Sequence, residues 1–271
     1  MTVDKILSNV WEQLLGFVGF VLLVGFLISL LNQLFYRITG YSRAVAYATG
    51  IIGTPIHELS HALMCILFAH RITDIQFFQI GADGTMGYVY HASNPKNPYQ
   101  QLGNYFIGVA PIFVGSMILY FAMMFFLPET YQTINQVFAE LSATQGGILS
   151  WFSDLGNVLV RVGSTMIAEF LPSVSGWIFI IISMCIALHM NLSLADMIGT
   201  MFALPILVIL LLVVNFVLGL VVRGEVYSGF ISIMDGAGLF IGLMLCLSLI
   251  MSVLCVVIAL VMRAVLAIFR R

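Results

Sequence analysis

The sequence predicts an all-α polytopic membrane protein of about six transmembrane helices with one small β-hairpin. Three observations lead there. Of 271 residues, 61% are hydrophobic and only 8% charged, whereas soluble domains carry roughly a quarter charged residues. Apolar runs at 14–35, 44–69, 103–127, 175–201, 204–222 and 237–265 each approach the ~20 residues that a bilayer-crossing helix needs. Between the second and third runs, β-favouring stretches flank a Gly-Ala-Asp-Gly turn within 71–92, the pattern of a hairpin.

The first run, 14–35, follows an N-terminus without a basic segment or a small-residue cleavage site, so it is expected to be retained. The second, 44–69, contains "GTPIHELSHALMCILF". Thr54 and Pro55 there suit the N-cap and first turn of a helix that follows a Gly50–Gly53 approach. The loop 128–173 carries Glu129, Glu140, Asp154 and Glu169 against Arg161 alone and is expected outside. Within it Trp151, Leu155, Leu159, Val162 and Met166 recur at helical spacing, as in an amphipathic helix on the outer surface or a buried packing helix. The fourth and fifth runs are expected to separate near Pro205, in the first turn of a new helix.

Arg263, Arg270 and Arg271 argue for a cytoplasmic C-terminus, and six crossings then place both termini on that side. Lys5, Arg71 and Lys96 fall inside with them, against Arg37, Arg43, Arg161 and Arg223 outside. The whole chain, 1–271, reads as one domain with no repeat of 20–50 residues. Its core is 44–203, and the spans 14–35, 204–222 and 237–265 are accessory. A net charge of −2 gives no ground for a nucleic-acid partner. Cys65, Cys185, Cys246 and Cys255 all lie in apolar runs without CxxC spacing and read as small buried hydrophobes.

The chemistry lies in the second span. His57 and His61 are four residues apart, so on a helix their imidazoles share a face at the reach of two nitrogen ligands to one zinc ion. Glu58 is rotated about 100° from His57, where it reaches a metal-activated water instead of the metal. HExxH on a helix is therefore a hydrolytic arrangement with Glu58 as general base. In lipid, ionisable residues mark a cavity or functional site by default.

A third protein ligand completes a catalytic zinc site, and His70, His91, His189, Asp196 and Asp235 are available. Depth favours Asp196, which matches His61 if the fourth run travels inward, whereas Asp235 falls near the outer start of the sixth, too far away. His70, 13 residues past His57, points to nearly the opposite side of a continued helix and reads as an interfacial helix-end histidine. Ser193 and Asp196 have capping-box spacing, so a helix can restart there after an interruption at Asn191. His189, on the face of Asp196 if the helix is unbroken, is a partner of the site, an alternative ligand, or a histidine hydrogen-bonded within the bundle.

With "HELSH" in a span, a hairpin next, "GVAPIFVG" in the following span and "NLSLADMIG" two spans after the motif, residues 44–203 resemble the site-2 protease family of intramembrane zinc metalloproteases. The likeness is to compact bacterial members without an inserted PDZ domain. Ala110 and Val114 depart from the family's glycine and asparagine, and the Asn191–Asp196 spacing is shorter than usual.

The resemblance implies one zinc per chain held by His57, His61 and Asp196, and a multi-pass protein of the bacterial cytoplasmic membrane. It also implies a transmembrane protein substrate whose unwound segment adds to the 71–92 hairpin by β-augmentation. Asn104, Asn191, His189 and His91 are candidates for substrate binding or for support of the ligands. The competing classes are a catalytically silent zinc-binding scaffold and a metal or proton transporter. An intact Glu58 argues against the first. The scarcity of polar residues in spans one, five and six, beyond Asn32, Gln33 and Asn215, argues against the second.

Overall fold

The computed structural model describes residues 2–82, 84–143, 155–222 and 224–269, apart from the side chains of Phe17, Leu155 and Val221. Asp83, Trp151, Asp154, Arg223, Arg270 and Arg271, which the sequence reading invoked, lie outside the described residues. The elements are α1 (Val3–Gln13), a π-helical turn Leu14–Gly19, α2 (Phe20–Ile38), α3 (Arg43–Leu67), β1 (Arg71–Gln76), β2 (Tyr88–Ala92), α4 (Pro98–Phe126) and α5 (Pro128–Ala143). They continue with α6 (Leu155–Phe170), α7 (Val174–Ala187), α8 (Leu194–Phe216), a second π-helical turn Val217–Val222, and α9 (Gly224–Phe269). The protein is thus helical and polytopic with a single two-stranded sheet among its described residues.

Five of these stretches are long and apolar enough to cross a membrane: Val3–Ile38, Arg43–Leu67, Pro98–Phe126, Leu194–Leu220 and Gly224–Phe269. The expected run 175–201 is not one helix. Helix α7 has only 14 residues, or ~21 Å at 1.5 Å per residue, and stops at Ala187. The chain then passes through 188–193 before α8 begins. The expected boundary at Pro205 is corrected, because Pro205 sits inside α8. The stronger signal is the Ser193–Asp196 capping box, which satisfies two orphan donors at once, while a proline within a long packed helix only kinks it.

Pro55 is corrected in the same way. Helix α3 starts at Arg43 behind Ser42 and carries Pro55 in its interior, so about four turns of helix precede the histidines. A continuous helix keeps His57 and His61 in strict i, i+4 register.

The described residues of the loop 128–173 include two helices, α5 and α6, that pack on each other. On α6, Val158, Val162, Met166 and Phe170 are all buried in the main core, so this is the packing helix and not one lying free on a surface. The Glu169 carboxylate closes the pair. It accepts from the backbone N–H of Glu129 (2.9 Å) and Thr130 (2.8 Å) and from the Thr130 hydroxyl (2.7 Å), capping the first turn of α5 from a different helix.

The β-hairpin is antiparallel, with Ile72 opposite His91, Asp74 opposite Tyr90 and Gln76 opposite Tyr88, and an irregularity between Ile72 and Asp74. Residues 77–80, in the first β-favouring stretch, lie beyond β1. Bonds from Gln79 N to Met86 O (2.8 Å) and from Gly81 N to Thr85 O (3.0 Å) continue the pairing less regularly towards the turn. The hairpin folds back along α3. A side chain at Gly50 would meet Met86 and Phe78, and one at Gly87 would meet Thr54, Glu58 and the Gln76 carbonyl. Glycine at position 87 is what lets the second strand lie directly over the HExxH helix.

Candidate metal centre

Helix periodicity brings the first two groups together. The Nε2 atoms of His57 and His61 are 3.1 Å apart. Each ring is fixed from behind. His57 Nδ1 donates to the His189 carbonyl at 2.6 Å, and His61 Nδ1 donates to the Ile107 carbonyl at 2.8 Å. A carbonyl can only accept, so in both neutral rings the proton is on Nδ1 and the Nε2 lone pair points inward. Two lone pairs facing each other at this distance repel unless a cation lies between them. The back-bonding to carbonyls is the arrangement that orients histidine ligands in metal sites.

Asp196 supplies the third group. Its Oδ2 accepts from the Ser193 N–H at 2.9 Å as part of the capping box, which leaves Oδ1 at 3.6 Å from His61 Nε2. One carboxylate thereby starts α8 and faces the histidines. The ligand atoms of His57, His61 and Asp196 all lie within 4.8 Å of one another, and two ligands ~2.1 Å from a tetrahedral zinc would stand roughly 3.4 Å apart. The donor set, spacing and orientation fit a metal ion.

Close helix packing delivers Asp196 to that position. A side chain at Gly108 of α4 would strike the Thr200 hydroxyl and the Asp196 carbonyl, and one at Gly115 would meet Met190. Residues 190–200 therefore run antiparallel to α4, and Asp196 reaches the depth of His61, whose ring bonds the neighbouring Ile107. Asp196 lies in the first turn of α8 and not near the end of an inward-running span, which corrects the premise of the depth argument.

A cavity of about 440 Å³ opens beside the three groups. Glu58, Asn104, Gly108 and Gly199 line it on the helix side, and Gly87, Tyr88, Val89, Tyr90 and His91 line it from the hairpin. Glu58 is 7% exposed. Asn104 donates to Gln101 Oε1 at 3.3 Å.

His189 and Asn191 are placed differently from the other candidates. The His189 ring donates to the Cys185 carbonyl at 3.0 Å and packs where a side chain at Gly53 would be, so its contribution to His57 comes from its backbone carbonyl. Asn191 bonds Leu188 O at 3.1 Å and accepts from Asn32 at 2.9 Å. Asp235 belongs to neither of the two ligand groups found among the described residues.

Two residues were undervalued in the sequence. Asn32, buried at 1% exposure, donates to Ala187 O (2.8 Å) as well as Asn191 and so holds the broken stretch 188–193 from α2. A lone asparagine in an apolar span was the available signal. His70 is the other. Helix α3 ends in a Schellman turn, with Ala69 at φ 54°, His70 N–H bonded to Cys65 O (2.8 Å) and Ala69 N–H to Ile66 O (3.1 Å). The turn ends the helix just before His70, as expected of a helix-end histidine, but it reverses the chain and buries the ring.

No protein-family model, curated protein or solved structure matches the chain.

Proposed function

We propose that the protein is a zinc-dependent intramembrane endopeptidase, a divergent relative of the site-2 proteases, that hydrolyses peptide bonds in or near transmembrane segments. The observation that carries this reading is the convergence of His57 Nε2, His61 Nε2 and Asp196 Oδ1 beside Glu58 in one cavity among apolar helices. His57, His61 and Asp196 would hold one zinc. When bound, the metal supplies a Lewis acid that makes water nucleophilic near neutral pH.

Glu58 takes the proton from the attacking water and can pass it to the leaving amine. Among the described residues the sheet has two strands, and β2 has no strand on the side away from β1, an edge that can pair with an extended, unwound substrate segment along the cavity wall. Such pairing is needed because an intact helix hides its carbonyls from any nucleophile. We place the protein in a bacterial cytoplasmic membrane, with the 71–92 hairpin and both termini cytoplasmic and 128–173 external. Labelling engineered thiols at Ala82 and Ser142 in a cysteine-free background checks this, with only Ser142 expected to react from outside.

The deciding experiment is Glu58→Gln. The substitution keeps size and a hydrogen-bonding oxygen but removes basicity. Zinc content and thermal stability should stay at the wild-type level while cleavage of single-span substrates falls ~10²–10⁴-fold. Equal cleavage by both proteins would remove Glu58 as the base. A zinc-loaded wild type inert across a broad substrate panel would favour the silent scaffold.

A further inference from the structure

A second group of ligand atoms lies at the end of α3. Cys65 Sγ, one His70 nitrogen and one His91 nitrogen all lie within 4.8 Å of one another. Cys65 is fully buried and His70 is 6% exposed. The three come from the last turn of α3, the Schellman turn after it, and β2. His70 Nε2 faces the Gln100 carbonyl at 2.7 Å, and because that oxygen only accepts, the ring proton is on Nε2 and the Nδ1 lone pair is free. That Nδ1 is 3.0 Å from His91 Nδ1. This repeats the logic of the first cluster, in which a ring held from behind by a carbonyl offers its other nitrogen to a shared point.

We propose that Cys65, His70 and His91 form a second metal site, separate from His57, His61 and Asp196, that binds a zinc-class divalent cation through one thiolate and two imidazoles. Cys65 then departs from the other three cysteines, which remain buried apolar side chains. The sulfur and imidazole set is one that zinc takes readily, at Zn–S ~2.3 Å and Zn–N ~2.1 Å. Binding releases the thiol proton of Cys65 to solvent, while His91, if its ring proton lies on Nδ1, moves that proton to Nε2 and stays a neutral ligand.

The site has a structural consequence. It ties β2, through His91, to the end of the helix that carries HExxH, while Gly87 four residues earlier rests on Glu58 of the same helix. The strand is thereby held at two points over the cavity that it lines.

The site is independent of the proteolytic reading, and metal counting with cobalt spectroscopy separates the two. Full-length protein reconstituted with zinc in reductant should bind two equivalents per chain. Cys65→Ser and His91→Ala should each bind one, and so should His57→Ala/His61→Ala. With cobalt(II), wild type and His57→Ala/His61→Ala should show a near-ultraviolet sulfur-to-cobalt charge-transfer band, because only the second site has a thiolate. Cys65→Ser and His91→Ala should lack it.

The half-exposed His91 keeps the test decisive should Cys65→Ser fail to fold. Absence of the band in wild type, or its persistence in folded His91→Ala, would overturn the proposal and leave a hydrogen-bonded histidine pair only. Failure of the first site alone would abolish zinc loss in His57→Ala/His61→Ala without touching the cysteine-dependent band.

Discussion

The two histidine clusters stand on one helix, yet they are assembled by different physics. His57 and His61 meet because an α-helix places residues i and i+4 on one face, and nothing beyond the continuity of α3 is needed. His70 meets Cys65 because α3 stops. Ala69 adopts a left-handed conformation, the chain reverses, and a histidine that a longer helix would have pointed away is folded back against the last turn. The first cluster is finished by a residue more than 130 positions later, held by a capping box and a glycine contact. The second is finished by His91 through the register of a short sheet. The contrast teaches that a ligand pair within a helix is local information, whereas a pair formed at a helix end depends on how the helix terminates.

The largest expected effect separates the clusters by activity. His61→Ala should abolish cleavage and release the metal of the first cluster. Cys65→Ser should lower cleavage only partially, through a looser hairpin, when both are assayed on the same single-span substrate. Equal loss in both would mean that the two clusters act as one site.

Gly108→Leu sharpens the claim that packing delivers the third ligand. The new side chain must displace Thr200 and the Asp196 backbone, an overpacking that costs about 1–3 kcal/mol. Metal titration should show weakened binding at the first cluster with the Cys65-dependent cobalt band retained.

Ala69→Gly is expected to have a smaller effect of opposite sign. Relief of left-handed strain, ~1–2 kcal/mol, exceeds the entropic cost of glycine, ~0.5–1 kcal/mol, so thermal unfolding in detergent should show a gain of about 0.5–1 kcal/mol. A loss would mean that the Schellman turn is not what positions His70.

The least effect is expected far from both clusters. Arg161 pairs with Glu140 at 2.6 Å, but both side chains are largely exposed, and water screens such pairs. Arg161→Ala should leave cleavage, metal content and melting temperature unchanged within error, which makes it a control for the other variants.

Much of this molecule was legible beforehand because the operative rules are short-range. Composition identified the membrane as the solvent, the i, i+4 spacing identified His57 and His61, alternating β-favouring residues located the hairpin, and Ser193–Asp196 announced a helix start. The misreadings came where two local signals competed. Pro55 and Pro205 were read as helix boundaries, but Ser42 and Ser193 start those helices, because capping satisfies orphan donors while a packed helix tolerates the missing N–H of a proline. Asn32 was passed over because its partners, Ala187 and Asn191, are more than 150 residues away. The amphipathic pattern of α6 could not reveal whether its apolar face met lipid or protein, since both are apolar.

The sequence by itself determined the apolar spans, the i, i+4 pair of His57 and His61 with Glu58 between them, and the capping box that orients Asp196, because each depends on residues close to one another along the chain. Only the tertiary structure decided which carboxylate faces those histidines, how closely the hairpin approaches Glu58, and that Cys65, His70 and His91 share one point. Those outcomes depend on contacts between distant segments, at Gly108 against Thr200, Gly87 against Glu58 and Gly53 against His189. At such contacts a single absent Cβ sets how near two backbones can come, and no local pattern in the chain encodes which backbones those are.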